Sequence, residues 1–442
     1  MTWDRVALRD LGQWIGGATP FKGNPAFWTD GSIPWLSPKD MGPVVLAQTR
    51  DSLTPEAVAG SSVKVIPANS VAVVVRSGIL ERTLPVGLVP FKTTLNQDMK
   101  ALVPRPGIDP RWVAWGLRAF ERELLRTTRK AGTTVASIEM PRFTQFELPV
   151  PDLAVQRRLV DLLEGHLSRL DAAADYESAA LRRAKSLREE LIRRAITGAD
   201  LAGGRQAADL TEAGTQDGDL PTLPTGWRWQ RLGEVADVVG GVTKDAKKQG
   251  LPGLIEVPYL RVANVQRGGL RLKEVTYIRV SSEKASALRL RSGDVLLNEG
   301  GDRDKLARGW VWQEQIPDCI HQNHVFRARL HADLDPYFLS WTANTIGGRW
   351  AERNGKQSVN LASISLSMIR RMPVVVPPPG VSSAIVKTLT AQLEEVDRLQ
   401  EAAHTSASRA TILRQAVLTA AFEGKLTGRH TDDEVVEELA IV

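Results

Sequence analysis

The side chains best suited to chemistry in this chain are few, and each set lacks a partner. Cys319, His321 and His324 lie close enough in sequence to share a metal, but a structural site needs four such ligands and no fourth stands at ligand spacing. Glu423-Gly424-Lys425 has the Glu-x-Lys spacing of a metal-dependent nuclease, yet it falls at a helix stop with no catalytic Asp on a preceding strand. Asn24-Pro25-Ala26-Phe27 approaches the Asn/Asp-Pro-Pro-aromatic signature of methyl-transferring enzymes. It lacks the second proline, and no glycine-rich cofactor loop accompanies it. No Gly-x-x-x-x-Gly-Lys-Ser/Thr phosphate cradle occurs either. The residues therefore predict no catalytic group, no metal and no cofactor on this chain.

Side chains that do no chemistry can still bind, and the charge pattern says what. The chain has 442 residues, 43% hydrophobic and 24% charged, with net charge +6. That composition predicts packed globular domains, more than one of them. The excess is not spread evenly: residues 1–150 carry 18 Lys+Arg against 13 Asp+Glu, and residues 225–376 carry 23 against 15. Residues 151–200 are balanced at 9 and 9, and 377–442 are acidic at 6 against 10. Two basic blocks separated by neutral or acidic ones imply a polyanionic partner. Apolar runs such as Val71 to Val75 are far shorter than the roughly 20 residues that cross a bilayer, so no membrane span is expected. Met1-Thr2-Trp3-Asp4-Arg5 has no apolar run behind a basic start and Cys319 is the single cysteine, which predicts a cytoplasmic protein.

The alternation of charge is a repeat. At an offset of 224, Trp3 falls on Trp227, Gly16-Gly17-Ala18-Thr19 on Gly240-Gly241-Val242-Thr243, and Ile33-Pro34-Trp35-Leu36 on Val257-Pro258-Tyr259-Leu260. The offset then drifts to 226, where Asp109-Pro110 falls on Asp335-Pro336, Trp115 on Trp341, and Ala136-Ser137-Ile138 on Ala362-Ser363-Ile364. A duplication whose copies diverged between fixed points accounts for this.

Each copy reads as short β-runs bounded by Gly and Pro with a few helices, then a long helix. Between Leu153 and Thr197 there is no proline. Leu159, Leu163, Leu167, Leu170 and Ala174, then Leu187 and Leu191, recur at helical spacing. Ile385, Leu389, Leu393, Val396, Leu399, Leu413 and Val417 repeat the stripe. Two stripes of one period can zip into a coiled coil. An antiparallel pair would leave one basic domain at each end. The expected fold class is α+β: two mixed domains related by a pseudo-twofold axis and separated by two long antiparallel helices. The expected divisions are a first domain 1–152, a central helical region 153–200, a solvated linker 201–223, a second domain 224–378, a C-terminal helical region 379–430 and an acidic tail 431–442.

These features together resemble the DNA-specificity subunit of a type I restriction-modification system. The likeness rests on the Gly-Gly-x-Thr pairs, on Leu220-Pro221 through Gly226-Trp227-Arg228-Trp229, on Val257-Pro258-Tyr259-Leu260-Arg261 and Asn264, on Gly293-Asp294 through Asp304-Lys305-Leu306, on Gln322-Asn323, and on Leu413-Arg414-Gln415 through Phe422-Glu423-Gly424-Lys425-Leu426. The resemblance implies a subunit without catalysis of its own, in which each domain reads one half of a bipartite site on double-stranded DNA. It implies two methyltransferase subunits, which bind S-adenosylmethionine, and one or two motor-nuclease subunits, which use ATP and Mg. A free-standing DNA modification enzyme, or a specificity subunit of a related type II or other defence system, stays open as an alternative. Arg and Lys suit guanine or phosphate, and Asn and Gln suit adenine. The DNA-facing candidates are thus Thr19, Lys22, Lys39, Arg76, Arg82, Asn96, Gln97, Arg129, Lys130 and Thr133 in the first copy. In the second they are Thr243, Lys244, Arg261, Asn264, Arg303, Lys305, Arg308, Gln322, Asn323, Lys356 and Gln357. The glycine pairs would either bring backbone to phosphate or simply make turns, and Trp115 and Trp341 read as core.

Overall fold

The computed structural model describes residues 3–130, 135–357, 361–426 and 436. Thr133 and nearly all of the expected acidic tail lie outside them. The chain divides into two compact units, residues 1–178 with 403–442, and residues 179–402.

In the first unit the strand Ser70–Val74 is buried along its whole length, as suits its valine-rich sequence. Val71 and Val73 enter one apolar cluster and Ala72 and Val74 another, one on each face of the sheet. The sheet is antiparallel, in the order Gly12–Gly16, Met99–Pro104, Ser70–Val74, Val86–Val89. Beside it, Ile33–Leu36 pairs antiparallel with Asp51–Leu53 and parallel with Thr94–Leu95. Arg5–Ala7 pairs with Glu147–Pro149.

The second unit repeats this arrangement strand for strand. Ala236–Gly240, Val325–Leu330, Val295–Asn298 and Gly309–Val311 form its antiparallel sheet. Ile255–Leu260 pairs antiparallel with Thr276–Val280 and parallel with Ile320–His321, and Arg228–Arg231 pairs with Pro373–Val376. Register is repeated as well as order: Gly16 faces Lys100 as Gly240 faces Phe326, and Leu36 faces Leu95 as Leu260 faces His321. The offsets of 224 and 226 seen in sequence are therefore offsets between paired strands.

The long helices are Leu153–Thr197 and Val381–Phe422. Each begins by holding a short helix of the preceding domain. Asp109 and Asp335 cap the helices Pro110–Ala119 and Pro336–Thr342 through their carboxylates, with proline at the first helical position. The backbone N–H of Asp109 donates to Gln156 Oε1 at 2.9 Å, and that of Asp335 to Ser382 Oγ at 3.0 Å. Trp112, Trp115, Leu159, Leu163 and Leu167 share a buried cluster with Val417, Leu418 and Phe422 in the first unit. In the second, Trp341, Leu389 and Leu393 share one with Ile196, and Leu191 and Ile385 pack against it. Both expected core tryptophans are thus interior. Arg414 pairs with Asp171 in the first unit and Arg188 with Asp397 in the second.

Two expectations need correction. Ala174, Leu187 and Leu399 are exposed, so they are not seam residues. Half-buried positions include Ala173, Glu177, Leu181, Ala184, Arg188 and Leu191 on the first helix, and Gln400, Ala403, Ala407, Ala410 and Leu413 on the second. Leu170 is half-buried, and Val396 is buried with Val417. Following leucines misses the alanines among these positions. The segment 201–223, though mostly exposed, carries structure where a bare linker was expected. Arg205–Gln206 pairs with Leu223–Pro224, while Ala208, Leu210 and Leu220 pack on the second unit's core. Asp217 joins Arg231 at 2.7 Å and accepts from Trp350 Nε1 at 2.9 Å. No helix among the described residues is long and apolar enough to cross a membrane.

Candidate nucleic-acid interface

In each unit the Gly-Gly turn runs against the loop that carries the amide side chains. A β-carbon on Gly17 would lie 2.0 Å from the Asn96 carbonyl oxygen, and one on Gly241 would lie 1.9 Å from that of His321. Glycine is required there by the chain's own backbone, a reason that neither the phosphate reading nor the turn reading of the glycine pairs contained. Ala18 N donates to Leu95 O at 2.8 Å, and Val242 N to His321 O at 3.0 Å.

A side chain that sequence reasoning did not single out fixes each turn. Trp35 Nε1 donates to Ala18 O at 3.2 Å, and Tyr259 Oη donates to Val242 O at 2.9 Å. These are the same positions of the repeat, making the same bond with an indole in one copy and a phenol in the other. Both rings are buried, and burial pushes the Tyr259 hydroxyl above its ordinary pKa, so it stays a neutral donor. The pairing of Trp35 with Tyr259 in the repeat was the signal available.

The turn brings Thr19 to Asn96, whose Nδ2 donates to Thr19 Oγ1 at 3.3 Å while its Oδ1 accepts from Asp98 N at 2.7 Å. Asn96 is buried and braces the loop, leaving Gln97 exposed at its tip. Next to it, Asp98 O accepts from Val75 N and Arg76 N. Arg76 bridges to Ser137 and Arg129 to Ile138, so Arg76, Arg129 and Lys130 border one backbone ledge, all exposed. The second copy has the same ledge. Glu299 N donates to His324 O, Gly300–Gly301 pairs with Ala362–Ser363, and Lys356–Gln357 pairs with the same strand. Thr243, Lys244, Lys356 and Gln357 are exposed, and Gln322 and Asn323 half-buried. The result in each unit is a polar strip along one backbone frame, with different side chains on it.

Other candidates fall elsewhere. Lys22, Arg82 and Arg261 are exposed on separate loops, and Lys39 is exposed on the short helix Pro38–Asp40. Asn264 is buried: its Nδ2 donates to the carbonyls of Arg271 at 2.8 Å and Glu274 at 2.9 Å, and its Oδ1 accepts from Arg261 N. It is a loop brace with no amide edge to offer a base. Its counterpart Asp40 does likewise, accepting from Ser37 N at 2.8 Å. Arg303, Lys305 and Arg308 lie around a turn near the hairpin Val265–Gln266 and Gly269–Leu270. Arg303 Nε donates to Glu352 O at 3.0 Å, and Lys305 pairs with Asp302.

The side chains with catalytic or metal-binding potential are occupied otherwise. Burial pushes the Cys319 thiol up to about 12 and the His321 imidazole down to about 4, so both are neutral near pH 7. His321 Nδ1 lies 2.6 Å from Val325 O. His324 Nδ1 lies 2.6 Å from Glu299 Oε2. Among the described residues no three His, Cys, Asp or Glu side chains are grouped to hold a metal.

Comparison with known proteins agrees with this architecture. Residues 1–175 match the type I restriction modification DNA specificity domain. The specificity subunit of the type I restriction enzyme EcoR124I/EcoR124II of Escherichia coli is 45% identical over 157 residues, 36% of this chain and 39% of that subunit's length. The StySPI specificity subunit of Salmonella potsdam is 24% identical over 77% of this chain and 71% of its own. Among solved structures, a chain from work on complex assembly and conformational transition of the type I R-M system superposes with TM-score 0.70 at 17% identity, covering 96% of this chain and 98% of that one. The HsdS subunit from Thermoanaerobacter tengcongensis gives 0.54 at 17% identity, over 96% and 97%. The specificity-domain match thus covers the first copy, the same frame is rebuilt in the second, and the relatives that the chain resembles are specificity subunits of type I restriction enzymes.

Proposed function

We propose that the chain is the non-catalytic sequence-reading subunit of a type I restriction-modification complex, each domain reading one half of a bipartite DNA site through its polar strip. The observation that carries this is the repetition of one backbone frame, down to the bond that fixes its turn, under two different sets of exposed side chains. A reader of two unlike half-sites needs that combination: constant geometry and variable edges. The first strip offers Gln97, Arg76, Arg129 and Lys130, and the second Gln322, Asn323, Lys356 and Gln357.

The two long helices form, on this reading, an antiparallel coiled coil that sets the distance between half-sites, with the domains related by a pseudo-twofold axis. Two ion pairs support the register: from Asp171 to Arg188 the first helix advances 17 residues, and from Arg414 to Asp397 the second retreats 17. Two methyltransferase subunits carrying S-adenosylmethionine would methylate adenines, and one or two motor-nuclease subunits using ATP and Mg would join for restriction, in the cytoplasm. Co-expression with the neighbouring methyltransferase gene, followed by mapping of adenine methylation, tests this. A split motif is expected, and exchanging residues 225–376 for those of another specificity subunit should change one half of it. A change in both halves would overturn the assignment of one domain to one half.

A further inference from the structure

Between the hairpin at 265–270 and the turn at 302–308 of the second unit lies an open basin of about 390 Å³, whose lining includes Gln266, Arg267, Arg271, Asp304, Lys305 and Arg308. Four cations face one carboxylate there. Lys305 is answered by Asp302, outside the basin. Arg267 spends its guanidinium on the carbonyls of Asn344 and, at 2.8 Å, Asp304, so no carboxylate neutralises it. Arg271 is exposed, and Arg308 Nε is buried with no protein partner. Burial, with Arg267 and Arg271 close by, holds the Arg308 guanidinium below its ordinary pKa. Like charges held this near one another with a buried N–H unspent are stable when an anion sits among them.

The floor is rigid. Asn344, in the π-helical turn Ala343–Gly347, clamps Gly309 by donating from Nδ2 to its carbonyl at 2.7 Å and accepting from its N–H at 3.0 Å. That bond pair fixes the residue next to Arg308. The first copy builds the same place differently: Arg118, at the repeat position of Asn344, donates to the carbonyls of Gly42 and Val86. By the strand registers Val71 with Leu88 and Val295 with Val311, Arg308 stands where Pro85 does, and residues 41–49, opposite the hairpin in the repeat, carry no charge.

We propose that this basin seats a phosphodiester of the DNA backbone, anchoring the second domain to the duplex without reading a base. It rests on the DNA-reading function above and makes the two domains unequal: one reads, the other reads and is clamped.

The test uses the full chain and a labelled random-sequence duplex, because a backbone seat needs no cognate site. Each phosphate no longer neutralised reduces the slope of log affinity against log salt by about 0.9. Arg271→Gln with Arg308→Gln should therefore shrink the fall in affinity on a fourfold rise in salt by about threefold to fourfold for each such phosphate. Random and cognate duplexes should weaken alike. Arg271→Gln alone, at an exposed position, should move the slope the same way if the double variant does not fold. An unchanged slope overturns the proposal. So does a loss confined to cognate DNA, which would make these arginines base readers. Stabilisation of the wild type by inorganic phosphate with no change in the DNA slope would also overturn it, since the basin would then be a free-anion site. Cognate preference of the wild type, measured in parallel, reports separately on the DNA-reading function.

Discussion

An amide in a recognition loop can face a base or face its own backbone, and the difference decides what its removal does. Asn264 makes three backbone hydrogen bonds at 2.8–2.9 Å from a buried position. Asn264→Ala should cost about 1–3 kcal/mol through the buried groups left unpaired, seen as a lower urea midpoint for the second domain's transition. Its sequence preference should persist at urea concentrations where it is folded. A base reader would do the reverse, altering preference at full stability. The sequence could not separate the roles of Asn264 and Gln322, since both are polar amides in loops. The one distinguishing signal lay in the repeat, where Asn264 aligns with Asp40, and an Asn/Asp exchange fits a loop cap better than a base contact. Trp35 and Tyr259 were legible as matching positions of the repeat, but not as the anchors of the turns, because that bond joins segments 17 residues apart.

At the scale of elements, periodicity located the long helices and composition misread the segment 201–223, a strap along the second unit. Leu153–Thr197 was legible because nothing in it breaks a helix and its apolar residues keep one face. Which residues the helices bury was only half legible, because alanine contributes little to a hydrophobic stripe. The segment 201–223 reads as linker because Gly, Asp and Thr dominate it, and its anchors are single side chains. Asp217 is the principal one. The hydrogen bonds from Arg231 hold its carboxyl below the usual carboxylate range, with Trp350 acting the same way. A depressed carboxylate pKa means stability that is present above the unfolded value of about 3.9 and lost as pH falls through the folded one. Asp217→Asn should therefore destabilise the second unit near pH 7 and flatten the acid limb of its stability curve. The loss should fall near the low end of the ~3–5 kcal/mol typical of a broken buried pair, because Glu212 remains 3.2 Å from Arg231. Urea unfolding at several pH values, with proteolysis of the strap as a local readout, checks both.

At the scale of the whole molecule, the repeat was legible because duplication preserves the landmarks that strand pairing needs, such as the glycines against a crossing backbone and the Asp-Pro helix starts. What each copy binds was not legible, because divergence falls on exposed side chains that the frame does not constrain. The spacing between copies, on the proposed reading, is a property of the helices alone, and that can be tested by changing their length. Removing seven residues from the middle of each helix keeps the seam on the same face, since two turns of a coiled coil take seven residues. At 1.5 Å per residue the pair shortens by about 10 Å, close to three base pairs at 3.4 Å each. Adenine methylation should then move to a split motif whose gap is about three base pairs shorter. It should also be slower, because three base pairs turn the second half-site by roughly 100° around a duplex of about 10.5 base pairs per turn, and the DNA must untwist to meet the domain. Removing five residues from one helix only puts the stripes out of register and should abolish methylation at any gap. Methylation persisting at the original gap after the paired deletion would mean that something other than the helices sets the distance.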